Sequence, residues 1–188
     1  MDTPWGSEAA KQFATNVGLI TSNGPYGHNI MAAEWTHHVS YSPGLIAVCI
    51  RPTAATNANI SKTKEFGVNL AAFDQNEIAS ISGNNTGKSI NKIAALKDLG
   101  FKFFDAKKIN TLMVENASLS AECKLVKKLD LGSHTIFIGE IVELHPVSEK
   151  VPLVYHGQKY WKLNEEIPKP QKAELDKIQK AVEKNTKE

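Results

Sequence analysis

Arg51 is the only arginine among 22 basic side chains, and it ends the otherwise apolar run Leu45 to Ile50. A guanidinium is a permanent cation with a planar fork of donors, suited to carboxylate or phosphate. At this place it either grips an anion or caps the strand edge and pairs with a surface carboxylate. Thr56 follows where a helix can begin, as a plain N-cap, as a donor beside helix N–H groups facing an anion, or as both. Asn59 is a further donor or simply a polar helix residue. Ser82, Gly83 and Lys88 form another donor cluster, with a solvated interhelix loop as the alternative. The segment Gly83 to Ser89 imitates a nucleotide P-loop, but three residues separate its glycines where four are needed. Ser82 stands where the first glycine should be, and the preceding segment reads as helix rather than strand, so nucleotide hydrolysis is excluded.

The histidines offer no metal site. His37 and His38 are adjacent and point to opposite faces of a strand, while His28, His134, His145 and His156 lack ligand spacing. Cys49 and Cys123 sit in apolar alternating runs and read as buried, reduced thiols. No residue constellation for nucleophilic or acid–base catalysis is evident. A formal charge of +2 and a single arginine argue against nucleic acid as a partner. No apolar run approaches a membrane span and the N-terminus has no signal-peptide pattern, so the cytoplasm is the expected location.

These residues need elements to position them. A helical turn is expected over residues 7–14, then a strand through Val17, Leu19 and Ile20 and a turn at Asn23 to Gly27. Asn29 to Trp35 is a short apolar run. After the Tyr41 to Gly44 turn, Leu45 to Ile50 has the β-branched content of a strand buried on both faces. Helices are expected over 56–64, 74–82 and 89–99, with a strand over 66–70. From Ser118 to Val147 the period changes to two, broken at Asp130 to Ser133, which predicts a long antiparallel hairpin. Its phase slips near Gly139, where a bulge is expected. Beyond Pro168 and Pro170, residues 171–184 read as a helix whose stripe of Leu175, Ile178 and Val182 would dock on its own subunit or a partner.

Taken in order, several of these segments resemble the flavin reductase-like FMN-binding split-barrel family. They are Asn29 to Trp35, Ser42 to Val48, Arg51-Pro52 with Thr56 and Asn59-Ile60, Phe66 to Asn69, Ser82-Gly83 with Lys88, Leu131 to Glu140, and His156 to Tyr160. The resemblance spans roughly residues 10–163 and implies a mainly β fold, a split β-barrel with short peripheral helices and a C-terminal helix. The expected division is an FMN-binding split-barrel domain over 1–167 and a C-terminal helical extension over 168–188.

The resemblance further implies a homodimer with the flavin at the subunit interface. The cofactor would be FMN, FAD being the lesser option, with NAD(P)H as electron donor and free flavin or another acceptor receiving the electrons. A non-enzymatic dimeric electron carrier, or a structural barrel without cofactor, is the alternative. Arg51 with Thr56, Asn59, Ser82, Gly83 and Lys88 would hold the phosphate and ribityl chain. Asn29, Ile30, Met31, Ala32 and Ala33 would meet the isoalloxazine, the two alanines allowing close backbone approach; an ordinary small-residue strand reads the same. Trp35 would pack near the ring or plug the barrel. His134 and His156 would bond to the flavin, sit at the dimer interface or lie on the surface. Ser40 to Pro43 and Tyr155 to Tyr160 would rim the acceptor slot. The sequence departs from the family pattern at Ala33, Gly44 and Gln158.

Overall fold

The computed structural model describes residues 2–185, so the first residue of the expected barrel domain and the last three of the extension lie outside the described residues. In chain order the elements are α1 (Glu8–Lys11), β1 (Thr15–Asn16), β2 (Gly18–Ser22), β3 (Asn29–Ala33), β4 (Thr36–Tyr41), β5 (Gly44–Ile50), α2 (Ala55–Thr63) and β6 (Glu65–Leu70). Then come α3 (Asn76–Asn84), α4 (Lys92–Asp98), β7 (Phe103–Asp105), β8 (Leu112–Val114), β9 (Leu119–Leu131), β10 (His134–Leu144), β11 (Leu153–His156), β12 (Lys159–Lys162) and α5 (Lys172–Lys184).

Seven strands pair in the order β3-β2-β6-β9-β10-β5-β4, all antiparallel. The two edge strands, β3 and β4, are separated in the chain only by Glu34 and Trp35. A sheet whose edges are joined by so short a link must curl, and Cys49 N–H donates to Trp35 C=O at 3.0 Å across the closing seam. The fold is mainly β, a curled half-barrel with short peripheral helices and a C-terminal helix.

Alternation along β2 divides the interior in two. Ile20 joins Val48, Ile50, Phe66, Val68 and Phe137 inside the barrel. Leu19 faces the other way, with Ile30, under Ile78 of α3 and Ile93 and Leu96 of α4. Strand β5 departs from expectation. Ile46, Val48 and Ile50 are buried, but Leu45, Ala47 and Cys49 are only half-buried, because nothing in the described chain covers the barrel's outer face there.

The long hairpin forms as β9 and β10, with register shifts at Ile138/Gly139 and Ile141/Glu143. A side chain at Gly139 would meet the Phe66 ring at 2.5 Å, so the glycine lets the bulged strand close over the core. Sequence periodicity misses the small β7–β8 hairpin. It is tethered by fully buried Glu122, which accepts from Lys107 N–H at 2.7 Å and Lys108 N–H at 2.6 Å and bonds His145 Nε2 at 2.8 Å. Both cysteines are free thiols. Cys123 is buried, its pKa pushed up to about 12 by burial and then by the Glu122 charge, whereas Cys49 is half-buried.

Helix α5 begins at a capping box between Gln171 and Glu174. No residue of it is buried, and Leu175 and Ile178 are about half exposed. The stripe expected to dock on its own subunit or a partner is therefore left about half exposed by the described residues. No helix among the described residues is long and apolar enough to cross a membrane.

Candidate functional site

Asn29 opens edge strand β3 and is 3% exposed. Its Nδ2 donates to Thr56 Oγ1 at 2.8 Å, tying β3 to α2. Its Oδ1 lies against Gly87, where any Cβ would collide with it. Three segments remote in sequence thus meet at one amide. Thr56 is buried, but it is the second residue of α2 and not its N-cap; that position belongs to Ala54, which offers no side-chain bond to the first turn. An uncapped helix start presents backbone N–H groups and a positive dipole end, the ordinary seat of an anion.

The α3–α4 loop supplies the rest. Ser82 is buried, and its Oγ has no partner among the described residues. Gly83 brings the end of α3 close to β3, since an added Cβ would stand 3.4 Å from Ala32 Cβ. Lys92 is only 2% exposed, and its Nζ donates to Ser82 C=O at 3.0 Å and Asn85 C=O at 3.1 Å. An ammonium has three donors, and these bonds use two of them. Burial pushes its pKa down to about 8. Sequence reading missed Lys92. Its signal is the four-residue spacing to Leu96, which places a lysine on the buried face of α4.

The other expected donors separate. Asn59 is buried and braces the 23–28 turn, donating to Gly27 C=O at 2.9 Å and Ser22 Oγ at 3.2 Å and accepting from Tyr26 N–H at 3.0 Å. Lys88 is exposed, its Nζ 5.8 Å from the centroid of the Tyr26 ring. Along β3, Ile30 and Ala33 are buried while Met31 and Ala32 are half-buried. The strand pairs only with β2, so the backbone groups of its other edge are outside the ladder.

A second cluster gathers Trp35, His134 and Arg51. The Trp35 and His134 rings lie 4.6 Å apart, and Trp35 is 50% exposed, so it covers the barrel rather than plugging it. Thr135 pairs with Ile50, which places Arg51 beside His134. Burial, and then the Arg51 charge, hold the His134 pKa below its ordinary value. Arg51 itself is exposed, and its C=O accepts from Ala54 N–H at 3.0 Å in the turn that launches α2.

His156 is remote from both clusters in its contacts, its Nδ1 3.4 Å from Phe13 C=O and its ring facing Trp161. Between Trp35 and β1 opens a cleft of about 280 Å³, lined by Thr15, Asn16, Glu34, Trp35, Ala47 and Cys49 among others. Glu34 also faces Tyr155 across an adjoining recess. Of the expected rim, Tyr155 therefore stands near the cleft, whereas Ser40 and Tyr41 end β4, Ser42 and Pro43 form the β4–β5 turn, and none of the four lines it. Among the described residues no group of three His, Cys, Asp or Glu side chains is placed to hold a metal ion.

Edge strand β3, the uncapped start of α2 and the α3–α4 loop converge at one end of a curled antiparallel half-barrel. Residues 10–164 match the family described as flavin reductase like domain, and the chain belongs to that family. An uncharacterized protein of Pyrococcus abyssi is 29% identical over 66% of this chain and 69% of its own length. An FMN reductase (NADH), RutF, of Pseudomonas syringae is 25% identical over 86% of each chain. An FMN-binding protein of Thermus thermophilus superposes with a TM-score of 0.78 at 20% identity, covering 90% of this chain and 97% of its own.

Proposed function

We propose that this protein binds FMN and passes electrons from NAD(P)H through the flavin to free flavin or another acceptor. The observation that carries the reading is the meeting of Asn29, Thr56 and Gly87 at the uncapped start of α2, with Lys92 bonded to the same α3–α4 loop through Ser82 C=O and Asn85 C=O. A phosphate dianion wants a cation, hydroxyls and N–H donors in a preformed cradle, and this set fits it. The unpartnered Ser82 Oγ adds a donor of the same kind.

When bound, the flavin supplies the hydride chemistry, and the protein supplies binding, orientation and electrostatics. Thr56, Ser82 and Lys92 hold the phosphate, and Gly87 keeps the loop close enough to reach it. The free edge of β3 offers backbone donors and acceptors to the polar edge of the ring. Trp35 shields one side from water, and His134, kept neutral by burial and Arg51, can bond without adding charge. Arg51 supplies a further cation to the phosphate or the ribityl side. The half-buried outer residues Ala47, Cys49, Ile136 and Ile138 form the face a second copy would cover, which supports a homodimer.

Purified protein should show the visible spectrum of bound oxidised flavin, and NADH or NADPH should bleach it anaerobically. A flavin spectrum with no bleaching by either nucleotide would rule out the reductase and leave an electron carrier. Arg51→Ala is expected to weaken FMN binding while the barrel stays folded; unchanged affinity by titration would remove Arg51 from the phosphate site.

A further inference from the structure

Helix α5 has a built-in start and an apolar stripe, yet buries no residue of its own. The capping box between Gln171 and Glu174 opens it, and Leu175, Ile178 and Val182 follow at spacings of three and four. These three are 50–57% exposed. An isolated helix of 13 residues is marginal in water, and its stability has to come from packing such a stripe against another surface. Over Lys172–Lys184 four lysines stand against three acidic side chains, so the helix lacks the basic face that an anionic membrane or nucleic acid selects.

A matching surface gathers around the β11–β12 turn. Trp5 and Phe13 border a recess with Gly157 and Gln158. Phe13 C=O lies 3.4 Å from His156 Nδ1, and Trp161 Nε1 donates to His156 C=O at 2.9 Å. The side chains of Trp5, Phe13 and Trp161 are 66%, 65% and 50% exposed. Large aromatics exposed in one neighbourhood mark an interaction site. One chain thus carries an exposed aromatic surface and an exposed aliphatic stripe.

The linker decides whose helix meets whose surface. Trp161 belongs to β12, which ends at Lys162, and α5 begins at Lys172. To lie on its own Trp161 the helix has to double back within residues 163–171. Ile167-Pro168-Lys169-Pro170 opposes that, because each proline fixes its own φ and holds the residue before it in extended backbone. Extended at about 3.1 Å per residue, the linker carries the helix roughly 28 Å, enough to reach a neighbouring molecule. The aromatic surface also adjoins the outer face of β5: Ala14 and Thr15 share a cleft with Ala47 and Cys49, which the homodimer reading gives to a second copy. Covering three aromatics of about 150–250 Å² each at these exposures removes roughly 300 Å², and the helix loses a similar area. Two reciprocal contacts bury roughly 1,200 Å², the size at which stable interfaces begin.

We propose that two copies of this chain exchange their α5 helices, the Leu175, Ile178 and Val182 stripe of each lying on Trp5, Phe13 and Trp161 of the other. The contact is isologous, so a single two-fold axis repeats it and closes the dimer. Where the second copy sits rests on the homodimer reading above; the helix's want of a surface does not.

Crosslinking of two co-expressed full chains with a short bis-maleimide tests this, one chain carrying Phe13→Cys and an affinity tag, the other Ile178→Cys. The unsubstituted chain controls for Cys49. A crosslinked pair containing both chains is expected, and the doubly substituted chain should likewise crosslink into dimers. A crosslink within one chain as the main product, or none in either sample, overturns the proposal. Light scattering over a dilution series reads the strength of the contact. Ile178→Asp should weaken dimerisation about tenfold or more, since it puts a carboxylate where an aliphatic side chain is covered. Melting of the dilute protein should be unchanged, because Ile178 is exposed on a single copy. Ile138→Asp, on the outer face, separates the two readings. If it dissociates the dimer while Ile178→Asp does not, the outer-face homodimer stands and the helix exchange falls. The opposite pattern keeps the exchange and removes the outer-face reading, and a chain monomeric at every concentration overturns both.

Discussion

The two ends of the candidate site are finished to different degrees. At the Asn29 end every element is tied to another: β3 to α2 through Thr56, and the α3–α4 loop to its own helix through Lys92. The groups there are almost wholly buried. At the Trp35 end the rings of Trp35 and His134 touch, but Trp35 is half exposed and two buried oxygens next to it have no partner among the described residues. The first end is preorganised by one chain and suits an invariant group such as a phosphate. The second is the less finished on this chain alone, and under the proposed function it suits exchange of an acceptor.

That contrast breaks most severely at Gly87. Gly87→Ala drives a methyl into the Asn29 amide, a buried group that cannot swing aside without releasing Thr56. We expect FMN affinity to fall about a hundredfold, equivalent to losing roughly 2.7 kcal/mol, with overpacking costing the fold about 1–3 kcal/mol. Fluorescence titration of FMN measures the first and thermal melting the second. Thr56→Val keeps the shape of the side chain and removes the acceptor, so it checks that any loss belongs to the bonded cradle. FMN binding indifferent to both changes would show that the preorganised end is not the anchor.

Lys92 should come next. Lys92→Met removes the buried cation while keeping its length, and we expect about a tenfold loss of FMN affinity. The pH dependence identifies the group. Wild-type affinity should decline as pH rises past about 8, where Lys92 gives up its proton, and the variant should lack that decline. In the protein without ligand the linkage runs the opposite way. Because the folded-state pKa lies below the ordinary 10.5, the unfolded chain binds more protons between about 8 and 10.5, and Lys92 makes the fold more stable with rising pH across that window. Parallel pH profiles for wild type and variant would remove Lys92 from the phosphate cradle.

The same contrast explains what could be read in the sequence. The long hairpin, its slip at Gly139 and the helix starting near Thr56 follow from periodicities of two and 3.6, which are local properties. That Asn29, Thr56 and the α3–α4 loop belong to one site was an expectation from the family resemblance, and their meeting is a tertiary contact between segments remote in sequence. Lys92 escaped because a lysine between Asn91 and Ile93 looks like a solvated position until Leu96 fixes the helix phase. Asn59 entered through the family resemblance, as a donor or simply a polar helix residue, and within the described residues its side-chain bonds go to the 22–27 turn, a tertiary contact that no local pattern announces. The cleft was invisible for a deeper reason. Thr15, Glu34 and Cys49 belong to three strands whose proximity arises only when β3 and β4 close the barrel.

The smallest expected effect lies at the open end, in Arg51→Gln read through His134. The imidazole is held below its ordinary pKa first by burial and second by the Arg51 charge, so the variant removes only the lesser cause. The His134 pKa should move up part of the way toward the ordinary value of 6.5, measured by proton NMR titration of the apoprotein. Stability follows in sign. While its folded pKa lies below the unfolded one, His134 loses the fold stability as pH drops through that window, and Arg51→Gln should soften that acid sensitivity. Trp35 supplies the control, because its ring contact with His134 is unaltered by the change and its emission should stay put. A His134 titration unmoved by Arg51→Gln would mean that the arginine charge does not reach the imidazole, leaving burial alone to set the electrostatics of the open end.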